Sequence, residues 1–246
     1  MKKIYIIIVG LSILIGIGSL FTFGKTKSNQ AFGVRIPAAY STFGIDVSRY
    51  QQKINWQQVV KARGGKDNAY SINFAFIKAT EGKTLKDSYF KENWSNTKKA
   101  NIIRGAYHYY KPHVNSKLQA NNFIKTVKLQ KGDLPPVLDI EETSRYGMDN
   151  LHRGLQNWLK IVEKHYGVKP IIYCYINYYN KYFKGKKEYE GYQFWIAHHY
   201  ETSLQMKDKW HFWQHNDKAK VTGITGNVCI NVFNGSKKQL QNLCIK

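Results

Sequence analysis

Residues 102–141 read IIRGAYHYYKPHVNSKLQANNFIKTVKLQKGDLPPVLDIE, and their order decides the fold. The apolar and aromatic run 102–110 reads as a strand, 115–127 as an amphipathic helix, and 136–141 as a second strand. A strand, a helix and a strand lay two parallel strands side by side. The alternation continues outward. Strands are expected at 43–47 and 72–78, each followed by a helix, at 56–62 and 87–100. After 141 come the longest helix, 149–166, and a strand at 170–175 with a short helix behind it. Then the helices shrink: 192–197, 210–215 and 228–233 read as strands joined by loops or hairpins, and 236–243 as a last helix. About eight strands in roughly 205 residues suit a small parallel barrel better than a doubly wound sheet. No internal repeat is visible.

The chain has 246 residues, 43% of them hydrophobic, with 18 Tyr, 12 Phe and 6 Trp. That excludes a disordered or collagen-like chain. Three cysteines are too few for a disulfide-stapled miniature protein. Lysine and arginine number 38 against 16 acidic residues, a formal net charge of +22. Such a charge invites a nucleic-acid reading. However, no helix-turn-helix, zinc-finger or RNA-recognition signature occurs and the lysines are spread along the chain, so no specific nucleic-acid partner is expected.

Residues 4–24 carry no charge over 21 positions. As a helix they would be about 31 Å long at 1.5 Å per residue, close to the roughly 30 Å bilayer core. No polar face recurs at helical spacing, which argues against a buried helix of a soluble core. The run is longer than a usual signal-peptide core and lacks a clear cleavage site, so an uncleaved anchor and a cleaved signal both stand open. Either way the rest is expected in the cell envelope or outside the cell. The expected organisation is 1–24 as anchor or signal, 25–40 as linker and 41–246 as a barrel domain, acting as a monomer. The segment 1–24 holds only Lys2 and Lys3 of the basic residues, so nearly all the charge belongs to the globular part. A polyanionic cell envelope would attract such a surface without any nucleic acid.

With acids this scarce, those at the ends of apolar strands stand out. Asp139 and Glu141 are two apart, so on a strand they share a face, while Ile140 points to the other. Two carboxyls held together in a partly dry site cannot both ionise easily, which leaves a proton donor beside a carboxylate. Glycosidic cleavage needs that pairing. The same acids could instead open the next helix, where its dipole favours them. Asp46 also ends an apolar strand; a lone Asp there is often a cap or turn former. In a parallel barrel, all three converge on the C-terminal mouth. Tyr107, Tyr109, Tyr173, Trp195 and Trp213 sit at strand ends as core residues or as platforms for sugar rings. His108 is a candidate base with no second histidine at metal spacing. No P-loop, HExxH or CxxC occurs, so no cofactor and no metal are expected.

Eight blocks occur in order: Phe43-Gly-Ile-Asp-Val-Ser-Arg-Tyr-Gln51, Phe76-Ile-Lys-Ala-Thr-Glu-Gly82, Gly105-Ala-Tyr-His-Tyr109, Pro136-Val-Leu-Asp-Ile-Glu141, Pro170-Ile-Ile-Tyr173, Phe194-Trp-Ile-Ala197, Phe212-Trp-Gln214 and Gly226-Asn-Val-Cys-Ile-Asn-Val-Phe-Asn-Gly235. Together they resemble the family 25 glycoside hydrolases, the Chalaropsis-type lysozymes. The resemblance implies a modified TIM-type barrel, (β/α)5 followed by three strands. It also implies N-acetylmuramidase activity on the β-1,4 bond between N-acetylmuramic acid and N-acetylglucosamine of peptidoglycan. On that resemblance Glu141 is the general acid and Asp139 its partner, assisting a mechanism in which the substrate's acetamido group can act as nucleophile. Asp46 helps line the site. Tyr107, Tyr109, Tyr173 and Trp195 match positions along the glycan groove, and Glu81 matches an acidic position near the mouth. The sequence departs from the family at Cys229, where the last block usually has Asp. A thiol carries no fixed negative charge unless its pKa falls well below about 8.5. The alternative function is therefore a weakly active or purely glycan-binding protein on the same barrel. Cys174, Cys229 and Cys244 leave a single bridge or three free thiols open.

Overall fold

The computed structural model describes residues 28–246. The expected 4–24 hydrophobic helix lies outside the described residues. Among those described, no helix is long and apolar enough to cross a membrane.

Eight strands close a barrel: β1 (Phe43–Val47), β2 (Tyr70–Glu81), β3 (Ile103–Tyr109), β4 (Val137–Asp139), β5 (Ile171–Tyr175), β6 (Gln193–Ala197), β7 (Phe212–Ala219) and β8 (Val228–Phe233). Neighbours pair in chain order, and β1 pairs with β2 to complete the ring. Strands β1 to β7 are parallel to one another; β8 runs antiparallel to both β7 and β1. Helices α1 (Trp56–Val59), α2 (Phe90–Lys99), α3 (Ser116–Thr126), α4 (Met148–Tyr166) and α5 (Ile176–Tyr182) follow the first five strands. After β6 and β7 no comparable helix intervenes, and α6 (Lys237–Leu243) ends the chain. This is the expected (β/α)5 barrel with three further strands.

The sequence dictates this locally. On α4 the buried residues Leu151, Leu155, Trp158, Leu159 and Val162 recur every three or four positions, giving a stripe that packs on the strands. The helix stops at Gly167, whose φ of 70° suits glycine, with its N–H returning to the Glu163 carbonyl. Asn115 caps α3 by accepting from the Leu118 N–H at 3.1 Å, and Ser236 with Gln239 forms a capping box on α6.

The barrel interior is filled by rings. Phe76 stacks on Trp195 at 4.4 Å between centroids and meets Phe212 edge-on at 5.1 Å. These rings leave no space opposite them. A Cβ on Gly44 would lie 2.5 Å from the Phe74 ring and one on Gly105 2.6 Å from Phe76, which is why β1 and β3 carry glycine there. Leu240 and Cys244 of the C-terminal segment join the inner cluster with Phe212 and Phe233 and stop the end of the barrel opposite the strand C-termini. Nearby, buried Arg104 binds Asp133 through two hydrogen bonds, at 2.7 and 3.2 Å.

The stretch read as a 25–40 linker differs from that expectation. Ser28–Ala31 and Val34–Pro37 pair antiparallel. Their turn, Phe32-Gly33, has positive φ at both positions, 52° and 74°, as tight hairpins favour. Ala31, Phe32, Val34 and Ile36 are buried in the main core, and the Phe32 carbonyl accepts from the Lys220 N–H at 2.7 Å. From Ser28 onward this stretch is part of the fold.

Candidate active site

The C-terminal ends of β1 to β7 open on one mouth, and the strand-end acids meet there. Asp139 is the last residue of β4, and the extended chain continues past it: Tyr110 N–H donates to the Asp139 carbonyl (2.8 Å) and Ile140 N–H to that of Tyr173 (3.0 Å). Held between β3 and β5 in this way, the stretch keeps its alternation. Ile140 is buried among the outer helices, so Asp139 and Glu141 share the inner side.

Asp46, on β1, is fixed by two side-chain amides. Its Oδ2 accepts from Asn231 Nδ2 at 2.8 Å and from Gln214 Nε2 at 2.9 Å. Each amide is itself oriented. Asn231 Oδ1 accepts from the Trp195 indole N–H at 2.8 Å, and Gln214 Oε1 accepts from the Tyr173 hydroxyl at 2.9 Å and lies 2.8 Å from His199 Nε2. Because each amide oxygen faces a donor, each NH2 must face Asp46.

All three carboxyls titrate above the usual range, for different reasons. Burial raises Asp139 strongly and the neighbouring Glu141 raises it further, with Lys78 opposing. Its Oδ1 is buried and accepts no hydrogen bond from the described residues. Glu141 reaches solvent, but protein atoms crowd its carboxyl; that desolvation raises it first and Asp46 second. Burial raises Asp46 as well, against the pull of the Asn231 and Gln214 donors. Amide donors favour the ionised form, whereas Glu141 faces carboxylates, so protons in this mouth prefer Glu141 and Asp139.

The remaining expected residues divide. Tyr107, Tyr173 and Trp195 are buried in the inner cluster and form the floor of the mouth. Tyr109 is half-buried higher up, its ring beneath Lys78 at 4.8 Å and Lys111 at 4.7 Å, its hydroxyl donating to Glu142 at 3.2 Å. Glu81 lies beside it, paired with Lys78 at 2.8 Å and Lys111 at 3.5 Å. Burial raises the Glu81 carboxyl, but the two lysines outweigh it and leave it lowered. Trp213 is elsewhere: fully buried, it packs edge-on against Tyr40 and Trp210 outside the barrel and donates to the His198 carbonyl at 2.7 Å. It supports the 198–200 loop and cannot touch a ligand in the mouth. His108 also faces outward, stacked on Trp158 and bonded to Thr80 at 2.7 Å; burial lowers its pKa to about 3.

Cys229 pairs directly with Asp46 across β8 and β1. Burial first, then Asp46, keeps its thiol protonated, so it meets Asp46 as a donor. The three cysteines are free. Lys78, Gln214 and Asn231 were not among the expected site residues, and Cys229 was singled out only as the place where the family's usual Asp is missing. Their signal is a polar or sulfur side chain at an inward position of an otherwise apolar strand. Among the described residues no group of three His, Cys, Asp or Glu is placed to hold a metal ion.

Residues 45–224 match the model of the Glycosyl hydrolases family 25. The chain belongs to this family. A solved family 25 glycosyl hydrolase from Bacillus anthracis superposes with a TM-score of 0.74 at 33% identity, over 85% of this chain and 95% of its own. Lysozyme M1 of Streptomyces globisporus is 33% identical over 80% of this chain and 69% of its own length. The Escherichia coli (strain K12) protein named "Uncharacterized protein YegX" is 45% identical over 86% of this chain and 76% of its own length. Family 25 membership makes this chain a glycoside hydrolase of the lysozyme type, with peptidoglycan as its substrate class.

Proposed function

We propose that this enzyme is an N-acetylmuramidase that cuts the β-1,4 bond between N-acetylmuramic acid and N-acetylglucosamine, with Glu141 as general acid and Asp139 assisting. The observation that carries the reading is the placement of Asp139 and Glu141 on one inner face beyond β4, in the same mouth as an amide-anchored Asp46. Glu141 is the one of the three open to solvent, where a leaving oxygen can reach it. Its raised pKa keeps the proton available at mildly acidic pH. The proton passes to the departing O4 of N-acetylglucosamine as the C1–O4 bond breaks. The carbonyl oxygen of the muramic acid acetamido group attacks C1, and its N–H gives a hydrogen bond to Asp139 Oδ1, which has no partner among the described residues. Water, deprotonated by the now ionised Glu141, then opens the oxazolinium at C1 and restores the acetamide and the acid. Ionised Asp46 stabilises the positive charge that builds on the sugar ring.

The thiol at 229 does not weaken this reading, since it donates to Asp46 instead of competing with it for a proton. The apolar 4–24 segment suits an enzyme held in, or exported through, the membrane beside its substrate. The full chain, incubated with purified peptidoglycan, should yield fragments whose new reducing ends are N-acetylmuramic acid by mass spectrometry. Reducing ends of N-acetylglucosamine, or none from any peptidoglycan type between pH 4 and 8, would refute it.

A further inference from the structure

We propose that three tyrosine–cation pairs on the rim of the mouth bind the carboxylates of the peptide stems on the strand being cut, so that the enzyme selects acidic peptidoglycan over neutral amino-sugar polymers. This rests on the muramidase reading above. The pairs are Arg49 over the Tyr50 ring at 5.4 Å, Arg145 over Tyr146 at 4.9 Å, and Lys218 over Tyr200 at 5.1 Å. They stand in the turn after β1, in the loop between β4 and α4, and where β7 meets the loop after β6, so they are distributed around the C-terminal mouth. Tyr50, Tyr146 and Tyr200 are 74%, 58% and 55% exposed, among the most open large apolar side chains described. The backbone of Tyr200 has a φ of 66°, costly for a bulky residue, and the Tyr200 N–H bond to the His215 carbonyl at 2.8 Å holds it there.

An exposed ring offers a face to the C–H side of a sugar, and the cation beside it offers a charge to an anion on that sugar's substituent. None of the three cations lies within ion-pair distance of a carboxylate of the described residues, although the Tyr200 hydroxyl donates to Asp217 beside Lys218 and Arg49 feels Asp87 and Glu81 from farther off; Lys78 and Lys111, deeper in, are neutralised directly by Glu81 and Glu142. The mouth is thus acidic within, and its rim carries Arg49 and Arg145 without a direct carboxylate partner among the described residues and Lys218 partly offset by Asp217. The acids serve the glycosidic bond but repel a polyanionic strand, and the rim supplies the attraction. Exposed charge pairs are individually weak, so the three act by summation.

The test compares peptidoglycan freed of phosphate polymers by hydrofluoric acid with the same material after its carboxyls are converted to amides. In the full chain, combined Arg49→Gln, Arg145→Gln and Lys218→Gln should raise KM on the acidic substrate about 5- to 10-fold. It should leave kcat, and KM on the amidated substrate, unchanged. Arg145→Lys should restore part of the loss. Lys164→Gln, Lys237→Gln and Lys238→Gln together remove the same charge at the opposite end of the barrel and should change neither. An unchanged KM on the acidic substrate overturns the proposal. So does an equal rise on the amidated one, a rise seen only before phosphate polymers are removed, or an equal rise from the distant set. If the wild type cuts none of these materials the muramidase reading falls instead, and sedimentation with the same sacculi still tests the rim by the same comparisons.

Discussion

Replacing Asn231 by leucine tests whether Asp46 works as an ionised group held by its amide cradle. The substitution keeps the branched shape of four side-chain heavy atoms, though with bulkier methyl groups, and removes one of the two N–H donors to Asp46 Oδ2 and the acceptor of the Trp195 indole. A hydrogen bond to a charged group is worth about 1.5–3 kcal/mol. At about 1.36 kcal/mol per pKa unit its loss raises the Asp46 carboxyl by about one to two units. Burial already holds that carboxyl above its ordinary value, so the change adds to an existing upward shift. In the proposed mechanism Asp46 acts in its ionised form, so the acid limb of kcat/KM against pH on soluble glycan fragments should move to higher pH by that amount. Activity on the plateau should survive. The orphaned indole N–H should also cost the fold about 1–3 kcal/mol. A carboxyl whose folded pKa is raised loses its stabilising effect as pH climbs from the ordinary range, about 4, through the folded value, so the fall in stability should continue to a higher pH in the variant and its deficit should be larger above that range than below it. Carboxyl carbon NMR of Asp46 gives the shift directly. A folded variant whose acid limb stays in place, or moves to lower pH, would refute the assignment of that limb to Asp46.

Glu141→Gln should lower kcat about 10²- to 10⁴-fold with little change in KM, as loss of a general acid does. Because the Glu141 pKa is raised in the fold, ionising it as pH rises costs stability, so thermal melts at neutral pH should show this variant more stable than the parent, with the difference vanishing at low pH. Cys229→Asp replaces a donor to Asp46 with a carboxylate in the same buried corner, so the mouth should bind an additional proton and its acid limb should shift to higher pH; Cys229→Ser, which keeps a donor, should leave the limb in place. Asp133→Ala strands the buried Arg104 guanidinium far from the mouth; urea denaturation should show a loss of about 3–5 kcal/mol, with unchanged turnover per folded molecule.

The barrel is legible in sequence because each strand of a sheet covered on both faces is a short apolar run, and the intervening helices announce themselves by a 3.6-residue period. That same two-sided burial hides which residues face inward. In Phe212-Trp-Gln-His215 an aromatic occupies each parity, and apolarity alone gives Trp213 and Phe212 equal claims on the interior. The structure gives the interior to Phe212 and Gln214. Parity becomes readable only from a polar residue that an apolar strand would otherwise reject. Gln214 and Asn231 are such residues, each at an inward position and each costly to bury unless bonded. The hairpin at 28–37 is hidden for another reason: two four-residue strands have too little periodicity to signal themselves, and their stability comes from the barrel wall they cover. The acids were readable because Asp139 and Glu141 break an apolar run at the spacing that puts both on one face. What their spacing could not reveal is the division of protons between them. That division is set by partners distant in sequence, namely two amides on β7 and β8 that favour an ionised Asp46 and a desolvated corner beyond β4 that favours a protonated Glu141. The asymmetry of proton placement in this mouth therefore lies in the closure of the barrel, where β8 returns antiparallel to bring Asn231 against β1.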